Sequence, residues 1–323
     1  MIISASRRTD IPAFYAKWFM NRVGAGYCTV PNPCNMKQVS YVSLQPEAVT
    51  ALVFWTRNPA PLLPRLRELD ERGFGYYFLY TLVNNPKVID PYSPSIDHAV
   101  ATFCHLADKI GPERVIWRYD PIVLGNVTSV QYHLDNFGRI AEKIGGCTNR
   151  SMISFVEDYR KTGHRMARLK QHGIVVQSVE SLTEISIAPL VAGLARIAEQ
   201  YGIELLSCAE KLNLVPFGVQ PGKCIDGDLL ARLFKVNVLP GKDRSQRQEC
   251  RCVASRDIGM YDSCLFGCSY CYATRNFDLS RRNHRSHNPA SPSLLGWYDA
   301  EQPYSKKTQP GSIAASGKQQ RLF

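Results

Sequence analysis

The sequence has no apolar run approaching the ~18 residues that a membrane span needs, so an integral membrane protein is not expected. Its first residues, Met1-Ile-Ile-Ser-Ala-Ser-Arg-Arg, lack the order of basic region, apolar stretch and small-residue cleavage site that marks an export signal, and read as a first strand. Histidine is scarce, seven in 323 residues, and has no metal-ligand spacing, which leaves a metal-assisted hydrolase with little support. No internal repeat occurs beyond a strand–helix rhythm. Cysteine, by contrast, is plentiful, with eleven residues. Without an export signal these are expected in a reducing cytoplasm, where metal binding or catalysis accounts for them better than disulfides.

Charge is also one-sided. The net charge of +11 favours polyanionic partners, nucleic acid above all. Residues 241–323 carry +6 of it in about a quarter of the chain. A hydrophobic fraction of 45% is ample for a sizeable core.

Short apolar runs alternate with helical patterns. The runs Ile2–Ser6, Ala51–Thr56, Tyr76–Leu82, Val115–Tyr119, Met152–Glu157 and Ile203–Cys208 are nearly continuous in apolar residues, as strands buried on both faces should be. Between them the pattern predicts helices over Ile11–Asn21, capped by Asp10, and over 60–72, 96–110, 129–144, 158–172, 184–201 and 227–234. Gly73, Gly111, Gly145, Gly173 and Gly202 follow five of these stretches as C-terminal caps. Six such units predict an α/β chain folded as a full or partial β/α barrel over residues 1–211, with a doubly wound open sheet as the alternative. Residues 212–285 lose the apolar period and read as a cysteine-rich, metal-ordered segment. Residues 286–323 read as a flexible or surface-draped tail, and His284 and His287 as part of a solvated basic stretch.

Cys28, Cys34, Cys104 and Cys147 are scattered and read as small buried hydrophobes. Cys208, Cys224, Cys250, Cys252, Cys264, Cys268 and Cys271 fall within 64 residues, where even scattering would put about two. Cys264-Leu-Phe-Gly-Cys268-Ser-Tyr-Cys271 has the spacing C-x3-C-x2-C. Three thiolates so close can each take one corner of a [4Fe–4S] cluster and leave the fourth iron open to a substrate or cofactor. The other four, Cys208, Cys224, Cys250 and Cys252, suffice for a second, fully ligated site holding [4Fe–4S] or zinc.

The C-x3-C-x2-C segment resembles the cluster motif of radical S-adenosylmethionine enzymes, with Tyr270 in its aromatic slot. That resemblance implies S-adenosylmethionine on the open iron, Tyr270 near the adenine, homolytic cleavage to a 5′-deoxyadenosyl radical, an external reductant, and a partial (β/α)6 barrel. The superfamily carries the motif after the first strand; here it follows the sixth, and Ser6-Arg7-Arg8-Thr9-Asp10 follows the first. Over residues 1–275 the chain more closely resembles a bacterial family known as domain of unknown function 1848. The resemblance rests on Ser4-Ala-Ser-Arg-Arg-Thr-Asp-Ile-Pro12, Val53-Phe-Trp-Thr-Arg-Asn-Pro59, Val115-Ile-Trp-Arg-Tyr-Asp-Pro121, Cys208-Ala-Glu210, Cys224-Ile-Asp226 and the last cysteine cluster. It implies only that same late cysteine motif.

In a β/α barrel the active site forms at the C-terminal ends of the strands. The candidates there are Arg7, Arg8, Asp10, Arg57, Arg118, Asp120 and Glu210, joined by Thr56, Asn58, Glu157 and Asp158, with Asp10 and Asp158 also fitting as helix caps. Arginine forks suit carboxylates and phosphates. Tyr272, Tyr80 and Trp117 are aromatics that could flank a radical or a base, Tyr272 as a cofactor contact, although lone aromatics are commonly core. The chain ends Gln319-Gln-Arg-Leu322-Phe323, which looks like the peptide that docks repair enzymes on the DNA sliding clamp. The expectation is thus an iron–sulfur enzyme that repairs or modifies nucleic acid. The alternative is a DNA-associated binding protein with structural zinc or iron–sulfur sites.

Overall fold

A computed structural model describes residues 1–300. Its strands are β1 (Ile2–Ala5), β2 (Tyr27–Asn32), β3 (Asn35–Ser43), β4 (Ala51–Thr56), β5 (Tyr76–Thr81), β6 (Val115–Ile122), β7 (Arg150–Phe155), β8 (Glu204–Ser207), β9 (Gln220–Pro221) and β10 (Arg256–Asp257). Its helices are α1 (Ile11–Phe14), α2 (Ala16–Ala25), α3 (Leu66–Glu71), α4 (Ile96–Ile110), α5 (Val130–Ile144), α6 (Gly163–Gln171), α7 (Glu184–Gln200), α8 (Gly227–Phe234) and α9 (Phe277–Arg285). None is long and apolar enough to cross a membrane.

Eight strands form one parallel sheet in the order β10-β1-β4-β5-β6-β7-β8-β9. All six strands expected from the sequence are in it. From β1 to β8 the order never reverses, so the doubly wound alternative, which requires a switch point, is excluded. A full barrel is not formed either: among the described residues the ladder ends at β10 and β9.

Successive side chains on a strand point to opposite faces, and this divides the core in two. Phe54, Tyr76, Phe78, Trp117, Tyr119 and Ile153 pack with α4, α5 and α7. Val53, Tyr77, Leu79, Ile116, Met152 and Leu206 face the other way, where a closed barrel would have its interior. That face is covered by Leu229 and Leu230 of α8 and by the loops carrying Cys224, Cys250 and Cys252. Residues 224–253 therefore close over this face, and the segment 212–285 adds β9 and β10 to the sheet edges.

Several local expectations change. The helix expected over Ile11–Asn21 is broken at Tyr15, whose buried hydroxyl donates to the Ser263 carbonyl at 2.7 Å and draws the ring towards the C-terminal segment. The stretch 60–72 narrows to α3 behind a short 3-10 turn, and 158–172 narrows to α6. Gly145 has ordinary negative φ; Gly146 is the left-handed residue. Asp158 caps no helix and instead accepts from the Ser178 hydroxyl.

The β2–β3 hairpin was not signalled because β3 has little buried apolar surface: all but one of its residues are exposed or half-buried. Nor was α9, although Asn276 caps it, accepting from the N–H groups of Asp278 and Leu279. His284 and His287 are half-buried rather than fully solvated: both rings pack edge-on against Tyr15. Residues 286–300 are held on α2, where Trp18 Nε1 donates to the Ser291 carbonyl at 2.9 Å and Asn21 and Arg22 bond the carbonyls of Pro289 and Ala290. Gln319, Leu322 and Phe323 lie outside the described residues.

Cys28 is buried as expected, whereas Cys34 is exposed. Cys104 of α4 and Cys147 after α5 are joined in a disulfide, contrary to their reading as free buried thiols. The two helices lie side by side on one sheet face, which brings together residues 43 apart in sequence.

His133 of α5 is fully buried between the Tyr119 hydroxyl (2.8 Å) and the Val123 carbonyl (3.0 Å). Burial pushes its pKa down to about 4. Between the ordinary value of about 6.5 and 4 the unfolded chain binds a proton that the folded chain refuses, so stability is lost as pH falls through that window, by about 3 kcal/mol. Urea unfolding at pH 7 and pH 5 should show about 2 kcal/mol of this loss in the native chain and a weaker one in His133→Gln.

Candidate functional site

The strands of a parallel sheet all end on one side, and there β1, β4, β6 and β7 open onto a cleft of about 890 Å³. Its floor is the loop after β1. Asp257 of β10 shapes that loop by accepting from the Ser4 and Ser6 hydroxyls (3.1 and 2.8 Å) and the Arg7 N–H (2.7 Å). Asp10 caps α1 through Ala13 N–H at 2.9 Å and also accepts from the Thr56 hydroxyl and Arg57 N–H, at 2.8 and 2.6 Å, tying the loop to the end of β4. Burial pushes the Asp10 carboxyl up to about 7 against these three donors.

Cys264, Cys268 and Cys271 line this cleft from one loop, backed by Ile89, Val123, Val156 and Phe266. The loop is shaped mainly by groups other than its thiols. Gly267 has φ +71°, and a Cβ there would lie 3.0–3.1 Å from Tyr92 and Pro91. Arg165 of α6 gathers three of the loop's carbonyls, Ser269 (2.9 Å), Thr274 (2.7 Å) and Cys271. Tyr270 points its hydroxyl to Asp90 at 2.9 Å and also meets Arg57. Arg57 in turn pairs with Asp90 at 3.3 Å and donates to the Ser93 hydroxyl at 2.9 Å. Burial pushes the Cys264 thiol up to about 12 and raises Cys268 as well, while the Arg57 charge opposes both shifts.

The other four clustered cysteines also converge. Cys208 follows β8, Cys224 precedes α8, and Cys250 and Cys252 come from the loop before β10; all four line the same cleft. The sulfurs of Cys208 and Cys224 lie 2.8 Å apart, and Cys252 is in thiol contact with both Cys224 and Cys250. The Ile225 N–H donates to the Cys252 sulfur at 3.3 Å. Those contacts push the Cys252 thiol down to about 2 and raise Cys224. As placed, no three or more His, Cys, Asp or Glu side chains among the described residues form a set that could hold a metal ion.

Of the nominated strand-end residues, Arg7, Arg8, Asp10, Arg57, Arg118 and Asp120 all line the cleft. Glu210 does not. Its carboxylate accepts from the N–H groups of Phe155 (3.1 Å), Lys211 (2.9 Å) and Leu212 (3.4 Å), so it braces strand ends rather than facing a ligand. Asp120 contacts Arg118 and accepts from the Ser154 hydroxyl. Tyr272 lines the cleft and donates to the Arg7 carbonyl at 2.9 Å. Tyr80 and Trp117 are core, donating to the carbonyls of Ala99 and Leu82.

Sequence reading missed Trp55, Asp90, Arg165 and Asp257. The Arg7 and Arg118 guanidinium groups lie 5.3 and 4.9 Å from the Trp55 ring centroid. Asp90 and Arg165 sit in helix or loop segments with no motif around them, and only their partners reveal them.

The family model described as "Domain of unknown function (DUF1848)" matches residues 2–273. The chain belongs to this family. The matched span contains the whole eight-stranded sheet and all seven clustered cysteines, and it stops before α9. No curated protein matches the chain.

Proposed function

We propose that this DUF1848 chain is an iron–sulfur enzyme with chemistry like that of radical S-adenosylmethionine enzymes, acting on an anionic substrate such as nucleic acid. The supporting observation is that Cys264, Cys268 and Cys271, late in the sequence, line the same cleft as the strand-end residues Arg7, Arg57 and Arg118. Three thiols of one loop, apolar on one side and with a cation near them to offset thiolate charge, are the donor chemistry that a [4Fe–4S] cluster takes. When bound, such a cluster with S-adenosylmethionine on its open iron supplies the electron that cleaves the sulfonium.

This chain's own residues would do the rest. Arg57 holds Tyr270 in place and offsets the negative charge of the cysteine loop. With its hydroxyl engaged by Asp90, Tyr270 has only its ring to offer an adenine. Arg8, Arg160, Lys161 and Arg244 line the cleft with no ion pair among the described residues, and are the cations available to phosphates.

The test is anaerobic reconstitution with iron and sulfide, followed by EPR of the reduced protein. A [4Fe–4S] signal that shifts on adding S-adenosylmethionine, with 5′-deoxyadenosine or methionine released under strong reductant, is the expected result. A signal indifferent to the cofactor, with salt-dependent DNA affinity and no turnover, would overturn it in favour of a DNA-associated binding protein.

A further inference from the structure

The quartet Cys208, Cys224, Cys250 and Cys252 is separate from the cysteine loop and has no part in the function proposed above. Its four thiols come from three segments that sequence distance keeps apart, and they meet on the sheet face that α8 covers. Two features of their surroundings need a reason. Arg7 and Arg118 line the same cleft as the four thiols. Nη2 of Arg7 and Nε of Arg118 are buried donors with no hydrogen-bond partner among the described residues. An unmade buried hydrogen bond costs about 1–3 kcal/mol, more for a charged group, so such donors call for an acceptor, and a thiolate is one that a cation favours.

We propose that Cys208, Cys224, Cys250 and Cys252 bind a single zinc-type ion as a closed four-thiolate centre, with Arg7 and Arg118 donating to its sulfurs. Four thiolates around a divalent ion leave a net charge of about −2, which Arg7 would offset in part, together with Arg118, whose guanidinium is shared with Asp120. Compactness selects one ion over a second cubane. Around tetrahedral zinc, ligand sulfurs stand about 3.8 Å apart, so the 2.8 Å pair needs to open by only about 1 Å. The centre would clamp residues 208–252 to the sheet face, doing for a segment with little apolar periodicity what a larger core does elsewhere.

The test uses the triple variant Cys264→Ala/Cys268→Ala/Cys271→Ala, purified from zinc-supplemented medium without iron reconstitution. It should retain one zinc per chain, with four sulfur neighbours at about 2.3 Å by X-ray absorption. Adding Arg7→Ala should weaken zinc retention against a chelator by about 10–100-fold, as loss of an outer-shell donor does. Should the triple variant fail to fold, the zinc edge of the native chain gives the same readout, because the cysteine loop offers only three sulfurs. No zinc, iron and sulfide at the quartet, or a metal-free Cys208–Cys224 disulfide found by mass spectrometry after alkylation would each overturn the proposal. S-adenosylmethionine turnover is not measured in this variant, so failure here leaves the proposed function untouched, and the reverse also holds.

Discussion

Cys268→Ala is expected to remove the reducible cluster from the 264–271 loop and to lower 5′-deoxyadenosine formation more than about a hundredfold, beyond what an outer-shell change costs. The side chain is nearly buried and central in the C-x3-C-x2-C spacing, so no other thiol of the loop can take its corner. The fold should survive. Arg165, Gly267 and the Tyr270–Asp90 hydrogen bond shape the loop through backbone and other side chains, not through the sulfur. Iron and sulfide content, read beside an unchanged circular dichroism spectrum, checks this. A variant that keeps both the cluster and full turnover would exclude these three cysteines as the ligands.

Arg57→Ala should lower stability by about 3–5 kcal/mol, because it strands a carboxylate whose side chain is 1% exposed. Among the described residues, Asp90 would keep the Asn85 amide (3.0 Å) and the Tyr270 hydroxyl (2.9 Å) as donors. The cation that offsets the cysteine loop's charge would go too, so cluster uptake should also fall. Removing both partners, as Arg57→Ala/Asp90→Ala, should cost less than the sum of the single changes, since no unpaired buried charge remains. Denaturant unfolding of the three variants decides it. Strict additivity, or a single-variant loss under about 1 kcal/mol, would show that the pair is not a coupled unit.

How much was legible in the sequence varied with the range of the interaction. The six expected strands are continuous apolar runs, and a run buried on both faces is a local property, visible without the fold. Asp10 before Ile11-Pro12 was legible for the same reason, since a cap acts within one turn. The β3 strand and α9 were not, because each is mostly polar and is held by contacts elsewhere in the chain. The arginines of the candidate site were nominated by their place at strand ends, and six of the seven nominated residues line the cleft. Glu210 stands at a strand end as well, but its acceptors are filled by backbone N–H groups that no spacing reveals.

By itself the sequence determined the strand–helix alternation, the parallel sheet and the two groups of cysteines, each from residues near one another along the chain. Only the tertiary structure decided that the sheet ladder of the described residues runs from β10 to β9, that α8 and its flanking loops fill its second face, and that Cys104 meets Cys147. It also decided that a motif placed after the sixth expected strand reaches the end of the first, where Tyr272 bonds Arg7 across 265 residues. Such pairings depend on how the whole sheet winds and what its faces must bury, and no local propensity encodes a contact between residues that far apart.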